Sequence, residues 1–114
     1  MIHEMKLKEI YFDKVKCGEK IYEIRLNDEK RKMISVGDFV IFKKEPELKE
    51  VISTIVKDLT YFESFDEMID VLPVNKIGFI DVEKSVIADI YHQFYSREDE
   101  QKYGVVAIKV ELVK

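Results

Sequence analysis

The stretch GEKIYEIR places three charged side chains where they could act together: Lys20, Glu23 and Arg25. Arginine presents a planar fork of donors that suits phosphate or carboxylate, and lysine adds a compact positive charge that also suits phosphate. A glutamate beside them could accept hydrogen bonds or hold the arginine in one rotamer. These residue types in this spacing therefore have the chemistry of a polar binding site.

The surrounding residues, KIYEIRL, predict a strand because apolar and charged positions alternate. One face carries the core side chains Tyr22, Ile24 and Leu26. Glu23 and Arg25 share the other face and lie about 7 Å apart along the backbone. The same pattern also fits an exposed ion pair, which contributes about 0–1 kcal/mol.

Further residues could extend such a site. Three of the charged residues that follow the strand are candidates: Asp28, Lys30 and Arg31. Together with Lys32 the two cations could form a positive rim, or they could belong to a solvated turn that Asn27 or Asp28 caps. The tyrosines that could stack on a flat ligand are Tyr22, Tyr61 and Tyr103.

Composition indicates an ordered globular chain of one-domain size, residues 1–114, with 46% hydrophobic residues. The net charge of −4 disfavours unspecific binding to nucleic acid. The charge is uneven, because residues 5–44 hold 11 basic and 7 acidic side chains. The positive part of the chain thus coincides with the charged strand.

Several site classes find no support in the sequence. Cys17 is the single cysteine, so no internal disulfide is expected, and no cysteine-enzyme signature surrounds it. His3 and His92 do not have zinc-ligand spacing with it, and we predict neither a metal nor a cofactor. No apolar run has the length of a signal peptide or a membrane span, which predicts a cytoplasmic protein.

The elements that must position the charges are strands and short helices. Strands are predicted at HEMKLK, KIYEIRL, VGDFVIFKK, EVISTIVKDLTYF and YGVVAIKVELV. Helices are predicted at IYFDKVKCG, with Ile10, Tyr11 and Val15 facing inward, and at SFDEMIDVLP, where Ser64 and Glu67 form a capping box. REDEQK is a predicted polar extension or loop.

The longest predicted helix is DVEKSVIADIYHQFY, whose core face repeats every four residues: Val82, Val86, Ile90 and Phe94, with Ile87 and Tyr91 beside them. Two strands follow one another around residues 45–50, which argues against regular parallel α/β alternation. We predict an α+β fold: a curved, mostly antiparallel sheet or β-barrel with helices at its ends or flank.

The motif GEKIYEIR resembles the G-x-K-x-x-E-x-R signature of ASCH domains, a family of the PUA-like superfamily. Gly18, Lys20, Glu23 and Arg25 occupy its four fixed positions. VGDFVIF, YFESF and YGVVAIKV are similar to later family elements, so the resemblance covers nearly the whole chain as one ASCH domain. It implies a PUA-like β-barrel with flanking helices and a cleft that holds the signature charges.

The resemblance also implies a ligand: RNA, a nucleotide or a nucleoside, with a role near RNA metabolism or translation. We expect ligand contacts from Lys20, Glu23, Arg25, Asp28, Lys30, Arg31 and Tyr103. Glutamate could accept from the exocyclic amine of a base, and tyrosine could stack on an unpaired base.

Two other functions stay open at this point. Some ASCH relatives hydrolyse N4-acetylcytidine with a lysine, a threonine and a glutamate, and others are ribonucleases. Here Lys20 matches the lysine, Glu23 stands at the threonine position and Lys76 stands near the glutamate position. Lys20 and Glu23 would be the catalytic residues of such an enzyme. The third function is a protein-interaction domain whose acidic segment REDE binds a basic partner.

Overall fold

The computed structural model describes residues 1–113, which form five strands and four helices. The strands are β1 (Ile2–Leu7), β2 (Tyr22–Leu26), β3 (Phe39–Lys44), β4 (Val51–Phe62) and β5 (Val105–Leu112). The helices are α1 (Glu9–Lys16), α2 (Phe65–Val71), α3 (Lys84–Phe94) and α4 (Arg97–Tyr103). Two 3-10 turns, Arg31–Met33 and Val74–Ile77, complete the described elements.

The strands form one mixed sheet in the order β1-β3-β4-β5-β2. β1 and β3 run parallel, and the other three pairings are antiparallel. A bulge in β4 between Val56 and Asp58 increases the local twist, as bulges do. The sheet curls into a half-barrel, and Arg25 on edge strand β2 donates to the carbonyl of Lys6 on edge strand β1 at 3.0 Å. The predicted α+β fold with a mostly antiparallel curved sheet is confirmed.

Apolar side chains pack on both faces of this sheet. One cluster includes Phe12, Val15, Val40, Phe42 and Ile108 beneath α1. The other includes Phe65, Met68, Ile69, Ile77 and Ile87 beneath α2 and α3. The predicted N-cap at Ser64 is present, since the Ser64 hydroxyl accepts from the Glu67 amide at 3.1 Å.

The predicted inner faces of α1 and α3 need correction. Phe12 is buried in α1, whereas Ile10 is 60% exposed. In α3 the buried residues are Ile87 and Ala88, while Val86 and Phe94 are 46% and 56% exposed. Tyr11 of α1 and Ile90, Tyr91 and Phe94 of α3 line a cleft, so part of each apolar stripe borders that cleft rather than the core.

The segment REDEQK was predicted as a polar extension or loop, and this was wrong: it forms α4. The Ser96 hydroxyl caps the helix by accepting from the Asp99 amide at 3.0 Å. Glu100 is buried, accepting from the Phe65 amide at 2.7 Å and contacting His92 Nε2 at 2.9 Å. The acidic run therefore contributes to the fold, and Glu100 is not free for a basic partner.

Candidate functional site

The charged motif lies where the two edges of the half-barrel approach each other. β2 pairs with β5 on one side, with Glu23 opposite Ile108, and its other side faces the gap towards β1. Strand alternation sets Glu23 and Arg25 on the same face, while Ile24 and Leu26 enter the core on the other. The gap thus receives charge rather than apolar side chains.

Glu23 is the centre of an ionic network. Its Oε2 atom lies 2.7 Å from Arg25 Nε and 2.7 Å from Arg25 Nη2. Its Oε1 atom lies 3.2 Å from Lys20 Nζ. Glu23 and Lys20 are only 5% and 4% exposed, so this is a buried network and not the surface ion pair that the sequence also allowed.

Lys20 has a full set of acceptors. Its Nζ atom donates to the backbone carbonyls of Tyr22 at 2.5 Å and Ile77 at 3.0 Å, in addition to Glu23. An ammonium group has three donors, and each has a partner here. This geometry stabilises the charged form of Lys20.

The network shifts the pKa of each member. Burial lowers the pKa of Lys20 below its ordinary value, although the charge and hydrogen bond of Glu23 oppose that change. Burial alone would raise the pKa of Glu23, but the charges of Lys20 and Arg25 outweigh it and the pKa is lowered. Glu23 is therefore a carboxylate across the neutral range.

A cleft of about 330 Å³ opens above the network, near the lower end of the usual size of small-molecule sites. Its polar lining comes from Lys6, Lys8, Lys20, Glu23, Arg25 and Glu45. Its aromatic lining comes from Tyr11, Phe79, Tyr91, Phe94 and Tyr95. The cleft thus combines flat apolar surfaces with a charged floor.

Two of the aromatic residues that line the cleft pack against a buried phenylalanine. Phe65, which is fully buried, stacks on Tyr91 with ring centroids 4.8 Å apart and on Tyr95 at 5.4 Å. Burial raises the pKa of Tyr11, Tyr91 and Tyr95, so their hydroxyls stay protonated. Within residues 1–113 these hydroxyls make no hydrogen bond to the protein, which leaves them available to a ligand.

The structure brings together three of the seven predicted ligand residues. Lys20, Glu23 and Arg25 share the cleft, and their role in ligand binding remains a prediction. The other four are not part of its lining: Asp28, Lys30, Arg31 and Tyr103.

Asp28 has a local role instead. Its carboxylate accepts from the Arg31 amide at 3.1 Å and pairs with the Arg31 guanidinium at 3.4 Å. Lys30 is exposed, and Tyr103 borders a separate depression with Ser64 and Arg97. The two other predicted stacking residues also lie elsewhere, since Tyr22 packs on the core and Tyr61 is exposed on β4.

Gly78 lies against two residues that line the cleft, so substituting it tests whether the site needs a glycine there. It has a φ of 111°, and an added Cβ would lie 3.2 Å from Lys20 Cδ and 3.4 Å from Tyr11 Cδ1. We expect Gly78→Ala to lose about 1–2 kcal/mol of unfolding free energy from backbone strain, and more from this crowding. Gly37→Ala is the matched control, because Gly37 has a φ of 95° but open space around it. Equal losses in denaturant unfolding would show that Gly78 does not support the site.

No group of three or more His, Cys, Asp or Glu side chains that could hold a metal ion occurs in residues 1–113. Across the same residues, none of the helices combines the length and apolar character of a membrane span.

Comparison with known proteins identifies the family. The sequence model of the ASCH domain matches residues 5–114. The chain belongs to the ASCH domain family. ASCH domains have a PUA-like fold, which often binds RNA. Among the curated proteins, none matches this chain significantly.

Solved structures resemble this ASCH domain along its length. The hypothetical protein PH0355 is 37% identical with a TM-score of 0.88, and the match covers 99% of this chain and 100% of that one. Protein PF0455 from Pyrococcus furiosus is 32% identical with a TM-score of 0.73, covering 100% and 99%. The ASCH domain from Lactobacillus crispatus is 14% identical with a TM-score of 0.68, covering 97% and 79%, and thus shares the fold.

Sequence reasoning missed most of the ASCH cleft lining. Tyr91 and Tyr95 are four residues apart in the sequence, a spacing that sets two side chains on one helix face. Tyr91 was predicted beside the core face of the helix, and Tyr95 was assigned no role. Nothing in the sequence marks the remaining charged lining residues as part of a site, since single charged residues are common on any surface. These residues are Lys6, Lys8 and Glu45.

Proposed function

We propose that this ASCH domain binds an unpaired RNA base, or the corresponding nucleoside or nucleotide, in the cleft above Glu23. The observation that supports it most is the buried Glu23 carboxylate, fixed between Lys20 and Arg25 at the floor of an aromatic cleft. RNA-binding proteins commonly stack unpaired bases on aromatic side chains and bind their edges with polar groups. The family's PUA-like fold agrees with this proposal.

Each part of the cleft has a chemical task in this proposal. The rings of Tyr91 and Tyr95 stack on the base. Glu23 accepts from an amine on the base edge, because a carboxylate has lone pairs beyond those that its two partners use. Arg25 Nη1 has no hydrogen-bond partner in the described chain, so it donates to a carbonyl or phosphate oxygen of the ligand.

A hydrolase acting on N4-acetylcytidine or on RNA is less well supported. A lysine must lose its proton to act as a general base, and the burial of Lys20 favours that. The three acceptors around Nζ oppose it, because they favour the ammonium form. The cleft lining also lacks a threonine, and its second carboxylate is Glu45. We expect no turnover of either substrate, and turnover that Lys20→Ala abolishes would contradict this expectation.

The binding proposal is tested by a thermal-shift screen of nucleosides, nucleotides and short RNAs, followed by calorimetry of the tightest binder. We expect Arg25→Gln to weaken binding about tenfold or more, since it removes a charge-assisted hydrogen bond. Arg97→Gln is the control, because Arg97 is an exposed arginine outside the cleft. Equal binding by both variants, with both still folded, would contradict the assignment of the cleft.

A further inference from the structure

The mouth of the cleft carries two lysines without acidic partners. Lys6 and Lys8 line the cleft and are exposed, and neither forms an ion pair with any of residues 1–113. The neighbouring strand differs, since Lys43 pairs with Glu4 and Lys44 pairs with Asp13. Neither lysine is neutralised by an ion pair within the described chain, so both can attract an anionic ligand to the mouth.

An exposed aromatic ring lies beside this charge. Phe94, in the last turn of α3, lines the cleft mouth although more than half of its surface is exposed. The Nζ atom of Lys8 lies 4.5 Å from the centre of its ring, a cation–π geometry. The pair thus offers a flat ring and a positive charge within one contact distance, at the mouth of the cleft.

The neighbouring residue points to a second binding position. Tyr95 follows Phe94 directly, and its ring is held by Phe65 inside the cleft. Phe94 and Tyr95 thus offer one ring at the mouth and one ring inside. Successive bases of a single strand stack on successive aromatic side chains in this way, while lysines follow the phosphates.

From this arrangement we propose that the cleft mouth is a second nucleotide subsite, so the ligand is a single-stranded RNA and not a free nucleoside. This inference rests on the binding of a base in the cleft. The flanking base stacks on Phe94, and the phosphate that links it to the base inside lies at Lys8 and Lys6. Glu45 also lines the cleft and repels phosphate, which favours the lysine side of the mouth.

The test compares a nucleoside with a short single-stranded RNA that contains it, titrated at several salt concentrations. We expect the RNA to bind tighter, with an affinity that falls as salt rises. Lys8→Gln is expected to reduce the slope of log K against log salt by about 0.7. Phe94→Ala is expected to weaken RNA binding about tenfold. Each variant is expected to weaken RNA binding more than it weakens nucleoside binding.

Lys102→Gln is the matched control, because Lys102 also lies over an aromatic ring, 5.1 Å from that of Tyr103, but outside the cleft. Equal affinity for nucleoside and RNA would overturn this inference and leave the binding of a base intact. Equal effects of the Lys8 and Lys102 changes would also overturn it. Binding of neither probe would overturn both proposals.

Discussion

Glu23→Gln is expected to lower the free energy of unfolding by about 3–5 kcal/mol, the usual cost of removing one partner from a buried ion pair. The amide keeps the shape of the side chain but leaves Lys20 and Arg25 as like charges in a shared buried site. Urea unfolding of the two proteins at neutral pH measures the difference. The same change removes the proposed acceptor for the base.

The control for this substitution is Glu4→Gln. Glu4 pairs with Lys43 at 3.2 Å on the surface, where an ion pair contributes about 0–1 kcal/mol. A loss at Glu23 no greater than the loss at Glu4 would contradict the buried network. Ligand affinity measured on folded Glu23→Gln protein separates the binding role from the structural one.

The Glu23 effect should also depend on pH. The folded protein lowers the pKa of Glu23 below its ordinary 4.5. Its contribution to stability is therefore fully present above pH 4.5 and is lost as the pH falls through the lower, folded pKa. The difference in stability between wild type and Glu23→Gln should thus shrink as the pH is lowered below 4.5. A difference that stays constant across this range would mean that Glu23 does not titrate as a stabilising carboxylate.

Lys20→Met is the second change with a large expected effect, about 3 kcal/mol of unfolding free energy. Methionine keeps a similar length but leaves the carbonyls of Tyr22 and Ile77 without their donor, and an unsatisfied buried acceptor costs about 1–3 kcal/mol. Glu23 keeps its contacts with Arg25, so the cost is smaller than for losing the carboxylate itself.

Lys57→Met is the control for Lys20→Met, because Lys57 makes a surface pair with Glu111 at 3.7 Å. Unfolding curves of both variants at neutral pH measure the difference. A Lys20 variant as stable as the Lys57 variant would show that Lys20 is dispensable for the fold. That result would instead favour a catalytic role for the Lys20 amine.

The sequence predicts the charged residues at the floor of the cleft better than the residues that line the rest of it. Strand alternation and the G-x-K-x-x-E-x-R spacing are local properties, so they set Glu23 and Arg25 on one face of β2 before any tertiary contact is known. Whether the pair is buried cannot be inferred from the local sequence. It depends on β1 and on the carbonyl of Ile77, more than fifty residues from Lys20 in the chain.

The errors on α1 and α3 have a common cause, and the error on α4 has a different one. A periodic apolar stripe shows that one face of a helix is apolar. It does not show whether that face packs on the core or borders an open cleft. Ile90 and Phe94 line the cleft, whereas the neighbouring Ile87 is fully buried. In α4 the run of acids looked fully solvated, yet Glu100 is buried because the Phe65 amide and His92 supply its partners.

The most direct test of the proposed binding cleft is a ¹H–¹⁵N NMR titration of the chain with the tightest nucleoside or short RNA from the screen. The account predicts saturable shifts concentrated in residues 20–25, which lead into and form most of β2, and in residues 90–95 at the end of α3. Shifts confined to the separate depression around Ser64, Arg97 and Tyr103, or no shifts with any of these probes, would contradict it.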